Sequence, residues 1–401
     1  MTEPESGNLA NLAGTVSAGW HGVREAFEEN LRSGDDLGAG VAVYHRGRCV
    51  VDLTGGWFDR DRVRPYADDT LQLVFSTTKG VTAIALAMCV QRGLIEYGAP
   101  VSRYWPEFAA HSKGDATVAQ LLSHQCGLFS VHGDITLAEA LDWDAITARL
   151  ADTEPEWPIG TMHGYHALTY GWLAGELVRR VDPAHRSLGA FVREEIAAPL
   201  GVELHIGLPE ALESRVSPIV GGLVDPDAVS DPAIKQMVEM FMGPGTKGGR
   251  ALSLNGAFSG DGVFNRRDVH AAEIPAANGI TTARSLARVY AATMGDVDGI
   301  RLLDQPTRDL ARTPVTPENE PDQCLIVPTA FGMGFMTPSA FMPFAGPGCY
   351  GHPGAGGSVA FAQPERDLAV AYVMNTMAAN LANDQRAARL VGAAVAAADS
   401  N

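Results

Sequence analysis

The sequence predicts an α+β protein: one antiparallel sheet built from both termini and flanked by helices, with a mostly helical region inserted into it. Three observations carry this. Near the start, Gly40-Val41-Ala42-Val43-Tyr44 and Cys49-Val50-Val51-Asp52-Leu53 read as two strands joined by a turn around Gly47. Near the end, Ser358-Val359-Ala360-Phe361-Ala362 and Leu368-Ala369-Val370-Ala371-Tyr372-Val373 flank the turn-like stretch Pro364-Glu365-Arg366-Asp367. Between the two hairpins, helical patterns alternate with Gly/Pro-rich loops.

In chain order, the pattern gives a helix near 18–33, the first hairpin, an extended stretch from Leu71 to Phe75, and an apolar helix over 77–92 stopped by Gly93. Further helices are expected over 136–150, 167–180 and 285–295, then the second hairpin and an alanine-rich helix near 380–398. The segment 221–278, rich in Gly, Pro and Asp, reads as a long loop region over the active site. Residues 1–90 with 310–401 are expected to form an α/β subdomain, and 91–309 a mostly helical one. There is no internal repeat and no low-complexity tract.

A chain of 401 residues with 46% hydrophobic content can bury a substantial core. Its formal charge of -17 argues against nucleic acid or an anionic membrane as partner, because binding either requires a cationic patch. Five widely spaced cysteines, with no C-x-x-C and no zinc-type spacing, predict neither a disulfide framework nor a structural metal. No apolar run approaches the roughly 18 residues of a membrane span, and the acidic N-terminus lacks signal-peptide features, so a cytoplasmic protein is expected.

Only four lysines occur, at 79, 113, 235 and 247, so each one's position is informative. Lys79 stands three residues after Ser76 in Phe75-Ser76-Thr77-Thr78-Lys79-Gly80, where an extended segment passes into an apolar helix. That offset puts both side chains on one helix face. A serine hydroxyl needs a base to become a nucleophile, and a lysine serves only when its pKa is depressed. The positive end of the helix dipole and burial in the apolar stretch both push Lys79 in that direction. The bland alternative is a helix-capping serine with a solvated lysine.

The S-x-x-K pair after an N-terminal hairpin, Leu121-Leu122-Ser123-His124-Gln125-Cys126-Gly127-Leu128, and Trp157-Pro158-Ile159-Gly160-Thr161 together resemble the penicillin-binding and class C β-lactamase superfamily. Within it the chain looks most like the family VIII carboxylesterases, from about residue 20 to 395. The resemblance implies the β-lactamase/DD-peptidase-like fold and makes Ser76 the acylated nucleophile. Tyr165, in Thr161-Met162-His163-Gly164-Tyr165-His166-Ala167, falls at the place of the family's Y-x-N tyrosine and is the implied third member of the proton-transfer set. Ala167 departs from the asparagine of that motif, which leans the reading from β-lactam turnover towards esters. Gly351-His352-Pro353-Gly354-Ala355-Gly356-Gly357-Ser358 matches the K-T-G position as an H-x-G variant. It implies an oxyanion hole from the backbone N–H groups of Ser76 and Ala355, with His352 and Gly354 contacting substrate.

The expectation is therefore a cofactor-free serine carboxylesterase whose partner is a small-molecule acyl ester. Its rivals are an amide-cleaving relative (a D-aminopeptidase or β-lactamase) and a catalytically silent binding protein of the same fold. Gly243-Pro244-Gly245-Thr246-Lys247-Gly248 matches G-x-G-x-x-G but follows a helix-like stretch and is expected to run into more loop, so no dinucleotide site is inferred. No G-x-S-x-G elbow is present. His124 and His163 read as core or loop histidines, and Asp142-Trp143-Asp144 as a solvated helix face.

Overall fold

The computed structural model describes residues 11–222, 232, 236, 239–240, 242–317, 320–378 and 384–401. Six strands make the main antiparallel sheet: β1 (Ala13–Val16), β2 (Gly38–His45), β3 (Arg48–Gly56), β4 (Tyr350–Pro353), β5 (Val359–Gln363) and β6 (Leu368–Met374). Their order is β1-β3-β2-β6-β5-β4, so the two ends of the chain meet at the β2–β6 seam, where His45 lies opposite Leu368 and Ala39 opposite Met374. The β2–β3 turn has φ of 51° at Arg46 and 73° at Gly47. Two successive left-handed residues twist a two-residue turn to match its strands, which explains the glycine.

The principal helices are α1 (His21–Arg32), α2 (Thr78–Gln91), α3 (Trp143–Ala151), α4 (Thr169–Val181), α5 (Ala283–Met294) and α6 (Gln385–Ser400). Strand alternation divides the core in two. Leu368, Val370, Tyr372 and Met374 of β6 pack with Phe27 and Leu31 of α1 and Leu390 and Ala394 of α6. On the opposite face, Ala42, Ala360, Ala362, Ala369 and Ala371 meet Ala283, Leu286, Ala287 and Tyr290 of α5. A row of alanines presents a smooth surface on which a helix can lie close. Although α5 falls inside 91–309, it packs across β2, β5 and β6. Helix α2 is buried on every side from Thr78 to Cys89, as its uninterrupted apolar sequence requires.

The stretch 136–150 is two helices, Leu137–Leu141 and α3. The chain breaks at Asp142, whose carboxylate accepts the Ala145 N–H at 2.9 Å and caps α3. Trp143 turns inward, its indole N–H donating to Glu176 at 2.8 Å, so only part of the Asp142–Asp144 cluster faces solvent. The loop expected over 221–278 contains helices at Lys247–Ser253 and Arg267–Ala271; residues 223–231, 233–235, 237–238 and 241 lie outside the described residues, as do 380–383 of the expected last helix. The Gly243–Gly248 stretch does open a short helix, capped by Thr246, but helical residues rather than a strand precede it. All five thiols are free. Among the described residues no helix is long and apolar enough to cross a membrane.

Candidate active site

A small second sheet delivers the chain to Ser76. Leu71–Leu73 pairs with Val216–Ser217 on one side and Ile280–Thr281 on the other, and the chain then tightens into a 3-10 turn, Phe75–Thr77, that feeds α2. Phe75 adopts φ of 45°, a left-handed conformation that costs an aromatic residue roughly 1–2 kcal/mol. It is held by its edge-to-face contact with Phe264, ring centres 5.0 Å apart, and by the Thr78 hydroxyl donating to its carbonyl at 2.6 Å. The turn leaves Ser76 half-buried and Lys79 wholly buried.

Lys79 Nζ lies 3.0 Å from Ser76 Oγ, 2.7 Å from the Ala167 carbonyl and 3.0 Å from the Ala276 carbonyl. Burial holds its pKa well below the ordinary lysine value, and among the described residues no carboxylate offsets that. A neutral amine suits these three neighbours: two N–H groups donate to the carbonyls, and the lone pair faces the serine hydroxyl.

Tyr165 sits in the irregular segment before α4, its ring face 4.7 Å from Lys79 Nζ and its hydroxyl hydrogen-bonded with Ser76. Burial drives the phenol pKa up, the Ser76 hydrogen bond partly opposes this, and the nearby Asp322 charge adds to the rise. The structure thus brings Ser76, Lys79 and Tyr165 together.

His352, on β4, stacks on the Tyr165 ring with centres 5.8 Å apart. Its Nδ1–H donates to the Pro353 carbonyl at 2.6 Å, which leaves Nε2 as a lone pair. Burial, then the proximity of Lys79, lowers its pKa to about 3, so the imidazole is neutral. Gly354 is placed by its missing side chain: a Cβ there would stand 2.1 Å from Ser358 Oγ and 2.3 Å from the Val74 carbonyl. Ser358 Oγ donates to the Val74 carbonyl at 2.9 Å and lies 3.1 Å from Thr77 Oγ1, tying the turn Ala355–Gly357 to the turn that carries Ser76. Ser76 and Ala355 both lie in first turns of short helices, where backbone N–H groups have no intrahelical acceptor.

Sequence reasoning missed the scaffold behind Tyr165. His124, buried with φ of 64°, accepts the His166 N–H at Nδ1 (3.1 Å), and its carbonyl accepts the Gly164 N–H (3.0 Å). His166 Nε2 accepts the Leu128 N–H at 2.9 Å. The Leu121–Leu128 motif thus holds the tyrosine segment from one side, and Asp322 holds it from the other, accepting the Tyr165 N–H at 2.9 Å. His163 is a buried loop histidine paired with Thr329 at 3.1 Å. The histidine roles were signalled by the motif's place in the chain; Asp322 stands in no motif.

The Beta-lactamase family model matches residues 23–394. The esterase/beta-lactamase LipL of Mycobacterium tuberculosis (strain ATCC 25618 / H37Rv) is 39% identical over 350 residues, covering 85% of this chain and 77% of that protein. A family VIII carboxylesterase crystal structure superposes with a TM-score of 0.84 at 34% identity, covering 96% of this chain and 98% of the other. A penicillin-binding protein homologue from Caulobacter crescentus gives a TM-score of 0.83 at 36% identity, covering 97% and 100%. The sheet closed by both termini and the S-x-x-K turn at the head of a buried helix accord with these matches, and the chain belongs to the beta-lactamase family of serine hydrolases.

Proposed function

We propose that the protein is a serine carboxylesterase that hydrolyses short-chain acyl esters through an acyl-enzyme on Ser76. One observation carries this: an amine completely buried, with no carboxylate partner among the described residues, 3.0 Å from a half-buried serine hydroxyl. Lys79 accepts the Ser76 proton as Oγ attacks the acyl carbonyl. The oxyanion takes hydrogen bonds from the Ser76 and Ala355 backbone N–H groups, donors that typically lower the barrier by about 3 kcal/mol each. The protonated Tyr165 phenol, beside Ser76, gives its proton to the departing alkoxide and is replenished from Lys79. Water then attacks the acyl-enzyme, the same pair takes its proton, and Ser76 leaves reprotonated with the carboxylic acid as second product.

Ester over amide cleavage is supported by Ala167, which offers no side-chain amide to a substrate, and by the neutral His352, which offers no cation to an anionic one. The family VIII carboxylesterase structure supports the same choice, whereas LipL, named as both esterase and beta-lactamase, is neutral between the two. The test is a parallel assay with a chromogenic short-chain ester, a D-amino-acid amide and nitrocefin, together with fluorophosphonate labelling. Ester turnover with a burst, labelling on the Ser76 peptide, and loss of both in Ser76→Ala are expected. Undiminished turnover in Ser76→Ala refutes the assignment, and preferred turnover of the amide or nitrocefin moves it to the amide-cleaving alternative.

A further inference from the structure

Asp322 lies 157 positions after Tyr165 and is wholly buried. Its Oδ1 accepts three backbone N–H groups, from Tyr165 at 2.9 Å, Cys324 at 2.8 Å and Leu325 at 2.9 Å. Its Oδ2 accepts the Thr329 hydroxyl at 3.0 Å, and Thr329 in turn meets His163 Nε2 at 3.1 Å. The neighbouring Gln323 N–H donates to the His163 carbonyl at 3.0 Å. Burial raises the pKa of this carboxyl, and the backbone N–H groups on Oδ1 partly offset that rise. Two of those partners do no more than close the local turn. The Tyr165 N–H is different, because it belongs to the residue whose phenol reaches Ser76.

Resting on the esterase reading above, the geometry points to Asp322 as the positioning residue of Tyr165: its buried carboxylate fixes the tyrosine backbone so that the phenol meets Ser76 and Lys79. The carboxylate has a second consequence. Its charge, added to burial, raises the phenol pKa and keeps Tyr165 protonated, as a group that must hand a proton to an alkoxide has to be. Among the described residues, the charged and titratable groups bearing on Asp322 are Tyr165, Cys324 and His163, with Glu320 acting on His163, and Lys247, Arg250 and Glu156 beyond Cys324. Only Tyr165 among them touches Ser76.

The test separates charge from shape in the full-length chain. Asp322→Asn keeps an oxygen for the three N–H groups but removes the charge, and Asp322→Glu keeps the charge but displaces it. With a neutral chromogenic ester, Asp322→Asn is expected to lower kcat roughly tenfold with KM little changed. Asp322→Glu is expected to lower kcat with KM likewise little changed, and it decides the matter if the Asn variant does not fold. An Asn variant that folds with unchanged kcat overturns the inference, as does a Glu variant with wild-type kcat. Ser76→Ala is run alongside: if it is inactive, such results count against Asp322 alone, whereas if it turns over normally the esterase reading itself has failed.

Discussion

At the scale of the residue, the decisive quantity is the charge of Lys79. An exposed lysine would be protonated at neutral pH and useless as a base; enclosure among α2, the Ala167 carbonyl and the Ala276 carbonyl pushes the pKa well below its ordinary value and so favours the neutral amine. Because its pKa is depressed, the amine is neutral over a range that extends below the ordinary lysine titration. Activity is therefore expected to be lost as pH falls through the depressed value. Lys79→Arg tests this, because a guanidinium stays charged at every accessible pH. It is expected to reduce kcat by roughly 10²–10⁴-fold, the usual contribution of a positioned general base, and raising the pH does not restore it. Recovery of activity at pH 9 in that variant would contradict the role given to the neutral amine.

At the scale of the element, catalysis depends on two short turns from opposite ends of the chain being held together, the one at Phe75–Thr77 and the one at Ala355–Gly357. Gly354 is the contact point. Gly354→Ala puts a methyl group inside the contact distance of the Val74 carbonyl, a backbone atom that cannot rotate away. Overpacking of this kind costs roughly 1–3 kcal/mol, so a lowered melting temperature is expected together with a fall in kcat that exceeds any change in KM. A variant that melts and turns over like the parent would show that the two turns are not coupled. The same scale marks how far the sequence was legible. Both hairpins could be read from local alternation and turn chemistry, and α2 from its apolar run. Ser76 and Lys79 could be paired because only three positions separate them. The break at Asp142 could not be read, because one side-chain cap overrides a continuous helical pattern. Asp322 was equally hidden, since its partner Tyr165 is remote in sequence and no local pattern encodes a contact made by loop docking.

At the scale of the whole molecule, the two chain ends are locked by a buried polar cluster beside the site. Arg386, at the start of α6, donates to Asp36 at 3.0 Å, to Asp384 at 2.7 Å, to the Thr376 carbonyl at 2.9 Å and to the Gly356 carbonyl at 2.5 Å. One guanidinium thus joins the N-terminal segment, the last helix and the turn that carries Ala355. Asp36 is fully buried, and its pKa is raised from 3.8 to about 6, burial outweighing the attraction of Arg386. With a folded pKa above the unfolded one, this carboxyl favours the folded state most below the unfolded value, and the advantage fades as pH rises through about 6. At pH 8 its charge is tolerated because Arg386 opposes it. Arg386→Met removes that opposition and is expected to cost about 3–5 kcal/mol at pH 8, the usual penalty for breaking a buried ion pair by removing one partner. At about pH 5 the deficit shrinks, because Asp36 is then largely protonated in the parent and readily so in the variant. Denaturant unfolding of both proteins at the two pH values checks this, and a deficit that is equal at both, or larger in acid, would contradict it. Because the same side chain supports the Gly356 carbonyl, the variant is also expected to lose kcat at temperatures well below its unfolding transition, linking the closure of the chain ends to the oxyanion turn.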